Sequence, residues 1–215
     1  HPVAHSFPTR RSSDLFITQR AYTASARGLD DFTSRLKALC WKSGLRYAEQ
    51  TAFVGDGARC LWKWAQENLP PDTVLIQDYW HVLEHLAALA KDLYASRWQE
   101  TFRLWKHRLW HGRIHLILKD LYGEKARLRG EKRRRAEEEI TYLETGRDRM
   151  DYPRFRAQGW PIGSGAIEGT CKHLVKERFN VTGAQWRRDN IQDVLALRLA
   201  AFNNQWDNLW TQNAA

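Results

Sequence analysis

Apolar positions first recur with a helical period in "LDDFTSRLKALCWKSGL", where Phe32, Leu36 and Leu39 share a face. The spacing predicts a helix capped at its start by Asp30 or Asp31 and ended by Gly44. "AEQTAFVGDG" then reads as a short apolar strand that runs out at Gly55-Asp56-Gly57. In "ARCLWKWAQENL" the helical period returns, with Cys60, Leu61 and Trp64 as the expected buried stripe and Pro70-Pro71 as the stop. "DTVLIQDYWH" is a second strand, ending near Asp78. Tyr47 to His81 thus has the strand–helix–strand outline of a parallel crossover unit.

From Val82 the pattern changes. Residues 82–123 are helical and rich in aromatics, and residues 124–152 are highly charged. "QGWPIGSGAIEG" is a glycine-rich turn leading into a helix, "AIEGTCKHLVKERFN", with Glu168 near its start. A last helix, "RRDNIQDVLALRLAAFNN", carries the stripe Ile191, Val194, Leu195 and Leu199. No internal repeat is visible.

Composition narrows the classes. A chain of 215 residues holds one sizeable domain, or one with an insertion, and 43% apolar content supports a core. Lys and Arg number 34 against 25 Asp and Glu, so the formal charge is +9, which favours a polyanionic partner. Between Lys91 and Met150 stand 16 basic and 10 acidic residues, so most of that excess sits on the helical segment. Either a solvated helix pair laced by i,i+4 ion pairs or a nucleic-acid surface would have this composition. Trp98, Trp105 and Trp110 are expected to pack this segment; stacking on unpaired bases is the rarer use of such residues. Three widely spaced cysteines without a C-x-x-C pattern fit reduced thiols in a cytosolic protein. No apolar run approaches the length of a membrane span, and no signal-peptide stretch is visible.

Three acids stand where a fold would make them useful. Asp56 ends one strand, Asp78 ends the next, and Glu168 opens a helix behind a glycine loop. Carboxylates at strand ends facing a helix carboxylate suit Mg²⁺, a hard ion that takes oxygen ligands. A lone acid in such a turn can equally be a helix cap. "HVLEH" (His81 to His85) matches H-x-x-E-H, in which two histidines on one helix face bind zinc and Glu84 is the base, with Glu144 or Glu168 as a nominal third ligand. "GSGAIEG" lacks the Lys-Ser/Thr of a phosphate-binding P-loop and is not read as a nucleotide site.

Together, "VGDGARCLWKWAQENLPPDTVLIQDYWHVLEHL" and "GSGAIEGTCKHLVKERFNVTGAQW" resemble the DDE transposases of bacterial insertion sequences, in the Kra-type group related to Mutator elements. The resemblance runs from about Ala26 to Trp210. It rests on a D-G-A-x-x-x-W segment, a D-x-Y/W-H-x-x-E-H-L segment and G-S-G-x-(I/V)-E. It implies an α/β fold: a partial RNase H-like core at 16–81 and 154–210, with a large α-helical basic insertion at 82–153. Asp56 matches the family's second catalytic aspartate and Glu168 its catalytic glutamate, both metal ligands. Asp78 and His81 match a D-x-x-H motif that shapes the site, so the H-x-x-E-H match overlaps the family's own residues. The resemblance further implies two Mg²⁺ (or Mn²⁺) ions activating water and then a 3′-hydroxyl for in-line attack at phosphorus. The implied partners are the terminal inverted repeats and target DNA, bound by a homo-oligomer in the bacterial cytoplasm at the nucleoid, with no membrane. Lys132, Arg133, Arg134, Arg135 and Lys172 are the expected DNA contacts.

The family's first catalytic aspartate has no counterpart here, because the segment between Phe16 and Gly28 is too short for the first strands. The expectation is therefore an N-terminally truncated chain, inactive as it stands. "SFPTRRSSDL" (Ser6 to Leu15) reads as a translated sequencing adapter, so residues 1–15 are expected to be non-native. The expected contact is between the Asp56 and Glu168 carboxylates. Two other readings remain open at this point: a catalytically dead DNA-binding remnant, and an H-x-x-E-H zinc metallopeptidase.

Overall fold

A computed structural model describes residues 20–211; the Ser6 to Leu15 segment lies outside them, as do the side chains of Ala166, Glu168, Arg188 and Asp189. In chain order, α1 (Leu29–Lys42) precedes β1 (Ala52–Gly55), α2 (Arg59–Asn68) and β2 (Val74–Gln77). Next come α3 (Tyr79–Tyr94), α4 (Trp98–Trp110), α5 (Ile114–Lys125), α6 (Gly130–Gly146) and α7 (Tyr152–Ala157). Then follow α8 (Gly165–Cys171), a π-helical turn (Lys172–Lys176), α9 (Glu177–Phe179), α10 (Arg188–Phe202) and α11 (Trp206–Thr211). The protein is mostly helical with a small parallel sheet, an α/β chain with a large helical part. No helix among the described residues is long and apolar enough to cross a membrane.

Two compact units divide the chain, one of residues 52–67 and 71–164, the other of the described residues up to 51, 68–70 and from 165 onward. In the first, β1 and β2 pair in parallel with Ala52 opposite Val74 and Gly55 opposite Gln77, and α2 is the crossover between them. The face that α2 buries is Trp62, Trp64 and Ala65. This corrects the expected stripe: Cys60 is exposed and Leu61 half-buried. The two indoles decide the orientation, because both rings flank Phe53 of β1, with centroids 5.5 Å (Trp62) and 6.2 Å (Trp64) away. The outer face of Trp62 is in turn covered by the Arg149 guanidinium at 4.6 Å.

The helical segment supplies most of the core. Val82, Leu86 and Leu89 of α3 join Trp105 and Leu109 of α4, Leu121 of α5 and Leu143 of α6 in one apolar cluster that also takes in Ile76 of β2. Each such fully buried side chain contributes about 1.5–3 kcal/mol. The tryptophans of the segment serve packing, as expected. Trp105 is wholly buried and its indole N–H donates to Asp120 at 3.1 Å. Trp98 lies beneath the Lys91 ammonium at 4.8 Å, and Trp110 beneath the Arg156 guanidinium at 3.7 Å.

In the second unit, Leu174, Leu195 and Leu199 form a small core with Tyr22, Val175, Phe179 and Phe202 packed against it. The Asn203 amide closes a pair of bonds with the Tyr22 backbone, at 2.8 and 2.9 Å. Gly44 ends α1 in the left-handed region, as its position predicts. Neither Asp30 nor Asp31 caps that helix, however. Gly28 occupies the cap position, and Asp31 sits in the first turn, accepting from Ser25 Oγ at 2.5 Å and Arg35 Nε at 2.6 Å. An ion pair one turn ahead holds this acid in the helix and away from the cap.

Candidate active site

The pairing of Gly55 with Gln77 sets Asp56 and Asp78 side by side, one residue past the C-terminal ends of two adjacent parallel strands. The Asp78 amide extends the ladder by donating to Gly55 O at 2.8 Å. In open α/β sheets ligands bind at this edge. The two acids live in opposite surroundings. Asp56 is exposed, and among the described residues its carboxylate accepts one hydrogen bond, from the Ala58 amide at 3.1 Å. That leaves most of its lone pairs open, and an exposed carboxylate at a strand end fits a hard cation.

Asp78 is 1% exposed. Its Oδ1 caps α3 by accepting from the amides of Trp80 at 2.7 Å and His81 at 3.1 Å. Its Oδ2 accepts from the Ser164 amide at 2.6 Å and from the Ser164 hydroxyl. Four hydrogen bonds occupy this carboxylate, so it clasps the glycine-rich turn onto the start of α3 and has no open lone pair for a metal. Gly163 permits the clasp: a Cβ there would stand 2.6 Å from Trp80 Cδ1. The sequence marks Asp78 and the G-S-G turn, but nothing local to either announces their bond.

A second polar chain runs behind Asp56. The buried Gln77 amide donates to Asp56 O at 3.3 Å and to the Tyr142 hydroxyl of α6 at 2.6 Å. The Tyr142 ring stacks on His85 with centroids 4.3 Å apart and planes 6° from parallel. His85 Nδ1 lies 3.0 Å from Glu139 Oε2, and the hydrogen bond to that carboxylate holds the imidazole above its ordinary pKa against the opposing effect of burial. Burial pushes the Tyr142 phenol up, so it stays a neutral hydroxyl. Gly57, at φ +105°, makes room for this chain, since a Cβ would fall 2.5 Å from Gln77 Nε2 and 2.9 Å from Tyr142 Cε2. Gln77, Tyr142 and Glu139 carry no motif, and sequence reasoning missed them.

His81 and His85 do share one face of α3, their rings edge to face at 4.8 Å. Glu84 is mostly exposed and pairs with His81 Nδ1 at 3.5 Å. Glu144 is engaged elsewhere, accepting from the Tyr122 hydroxyl at 2.6 Å. Among the described residues no group of three or more His, Cys, Asp or Glu side chains is disposed to hold a metal ion. The Glu168 side chain lies outside those residues, and Glu168 belongs to the other compact unit from Asp56.

Of the expected DNA contacts, Lys172 is exposed in the π-helical turn, and Lys132 is exposed on α6. The three arginines beside Lys132 are ion-paired. Arg133 meets Glu137 at 3.2 Å, Arg134 meets both Glu131 and Glu138, and Arg135 meets Asp92 of α3.

No family model, curated protein or solved structure matches this chain.

Proposed function

We propose that this chain is part of the catalytic region of a DDE-type DNA transposase, with the strand–helix–strand unit as the partial core of an RNase H-like fold. One observation carries the reading: Asp56, an open carboxylate, stands at the ligand-binding edge of a parallel sheet beside the Asp78 clasp. Asp56 and Glu168 would hold Mg²⁺ or Mn²⁺, which when bound activates an oxygen nucleophile for attack at phosphorus. Asp78 serves the site by fixing the glycine turn and the start of α3, and His81 follows one helical turn on. Gln77 and Tyr142 hold the Asp56 backbone from behind. The partner is DNA, both element ends and target, bound by an oligomer of this chain in the bacterial cytoplasm.

Four hydrogen bonds occupy the Asp78 carboxylate and leave it no lone pair for a metal, and this favours a second reading, a DNA-binding remnant without catalysis. One experiment separates them. The chain is incubated with a duplex carrying an element end and Mg²⁺ or Mn²⁺. Strand cleavage, lost on Asp56→Ala, supports the transposase. No cleavage, with DNA binding kept, supports the remnant. Zinc-dependent peptide hydrolysis lost on His81→Ala would overturn both.

A further inference from the structure

The basic run that stands out in the sequence, Lys132 to Arg135, carries little free charge in the fold. Its helix, α6, holds four Lys and Arg against five Glu, and three of the four cations face carboxylates. The excess charge of the helical segment lies elsewhere. From Thr101 to Lys119 there is no Asp or Glu, against five Lys and Arg. Arg108 is taken up by Asp120. Arg103, Lys106, Arg113 and Lys119 are exposed, and among the described residues no carboxylate pairs with them.

We infer that the exposed stripe of α4 and the α4–α5 turn, built from Arg103, Lys106, His107, His111 and Arg113 with Arg156 beside them, is the surface that binds the phosphodiester backbone of duplex DNA. The inference deepens the DNA-binding reading above and rests on it. Arg103, His107 and His111 recur every four residues, about 6 Å apart along the helix, with Lys106 filling the same face. The His107 and His111 rings lie 4.4 Å apart. Desolvation first, and then the positive neighbours His107, Arg113 and Arg156, hold His111 below its ordinary pKa, as an uncompensated cationic surface would. Glu100, a turn before Arg103, is the one acid at its N-terminal border.

The chemistry points to a polyanion and away from a lipid surface. A helix that lies in a membrane interface needs an apolar face to insert. The apolar face of α4, Trp105 and Leu109, is wholly buried in the protein's own core, and Leu104 is an isolated exposed side chain on that helix. Phosphate contacts of this kind release counterions and make affinity fall steeply with salt.

The test uses the full chain, a fluorescent 30-base-pair duplex and anisotropy at several salt concentrations. Its arms are R103Q/K106Q/R113Q, K132Q/R133Q/R134Q/R135Q, and the charge-keeping R103K/R113K. The first should weaken binding at least tenfold and lower the slope of log affinity against log salt by about three, one per lost contact. The α6 variant should stay within about threefold of the parent, and R103K/R113K should bind like it. Because the three substituted side chains have no partners among the described residues, thermal midpoints should not move, which separates lost contacts from lost folding. Parental binding kept by the first variant and lost by the second would overturn this surface while leaving DNA binding intact. Binding to phosphatidylserine vesicles but not to the duplex would overturn both, as would no salt-dependent DNA binding by the parent chain.

Discussion

Asp78 and Ser164 are 86 positions apart, yet the Ser164 amide and hydroxyl both donate to Asp78 Oδ2, the amide at 2.6 Å. The other carboxylate oxygen caps α3. One buried side chain thus fixes a helix start and a distant turn together. Replacing Asp78 by Ala removes the cap and leaves buried donors without acceptors, a cost of about 2–4 kcal/mol. Ser164→Ala removes only the hydroxyl and should cost about 1 kcal/mol. Urea unfolding midpoints measure both. An Asp78→Ala chain as stable as the parent would show that the clasp contributes nothing.

Asp56 should behave in the opposite way. It is exposed and, among the described residues, accepts a single local hydrogen bond, so Asp56→Ala should change stability by less than about 1 kcal/mol. If the carboxylate is a metal ligand, the same substitution should abolish Mn²⁺ binding, as measured by paramagnetic broadening of nearby resonances. Broadening that survives Asp56→Ala would remove this residue from the metal site.

The strands and the acids at their ends were legible in the sequence, because short β-rich runs bounded by Gly and Pro leave few alternatives. The Gln77–Tyr142 bond was not: its partners are 65 positions apart and Tyr142 lies within a helical stripe. The stripe of α2 was misplaced because three large apolar candidates, Leu61, Trp62 and Trp64, crowd about one turn, and Phe53 of β1 decides among them. A linear sequence hides what the helix does around Lys132 to Arg135, which is to bring Glu131, Glu137 and Glu138 alongside Arg133 and Arg134.

Gly57 tests the packing behind Asp56. Its φ of +105° and the 2.5 Å that a Cβ would leave to Gln77 Nε2 make Gly57→Ala costly, by about 1–3 kcal/mol. Gln77→Ala removes the obstructing amide, so the double variant should lose less than the sum of the two single losses. Strict additivity in a double-mutant cycle would mean that the residues do not touch.

The last prediction concerns pH. His85 faces Glu139, Glu84 and His81 and stacks on Tyr142, and the hydrogen bond to Glu139 raises its pKa. A group whose pKa rises on folding takes up protons more readily in the native state. Its stabilising contribution is therefore complete below the unfolded value, about 6.5, and fades as pH climbs through the folded pKa. Stability should decline above about pH 6.5 by an increment that Glu139→Gln removes, since the amide cannot hold the proton on the imidazole. NMR titration of the His85 ring should give a midpoint above that of an unfolded peptide, returning toward it in Glu139→Gln. A midpoint below the peptide value in the parent chain would show that burial outweighs the carboxylate, and the stability profile would then slope the other way.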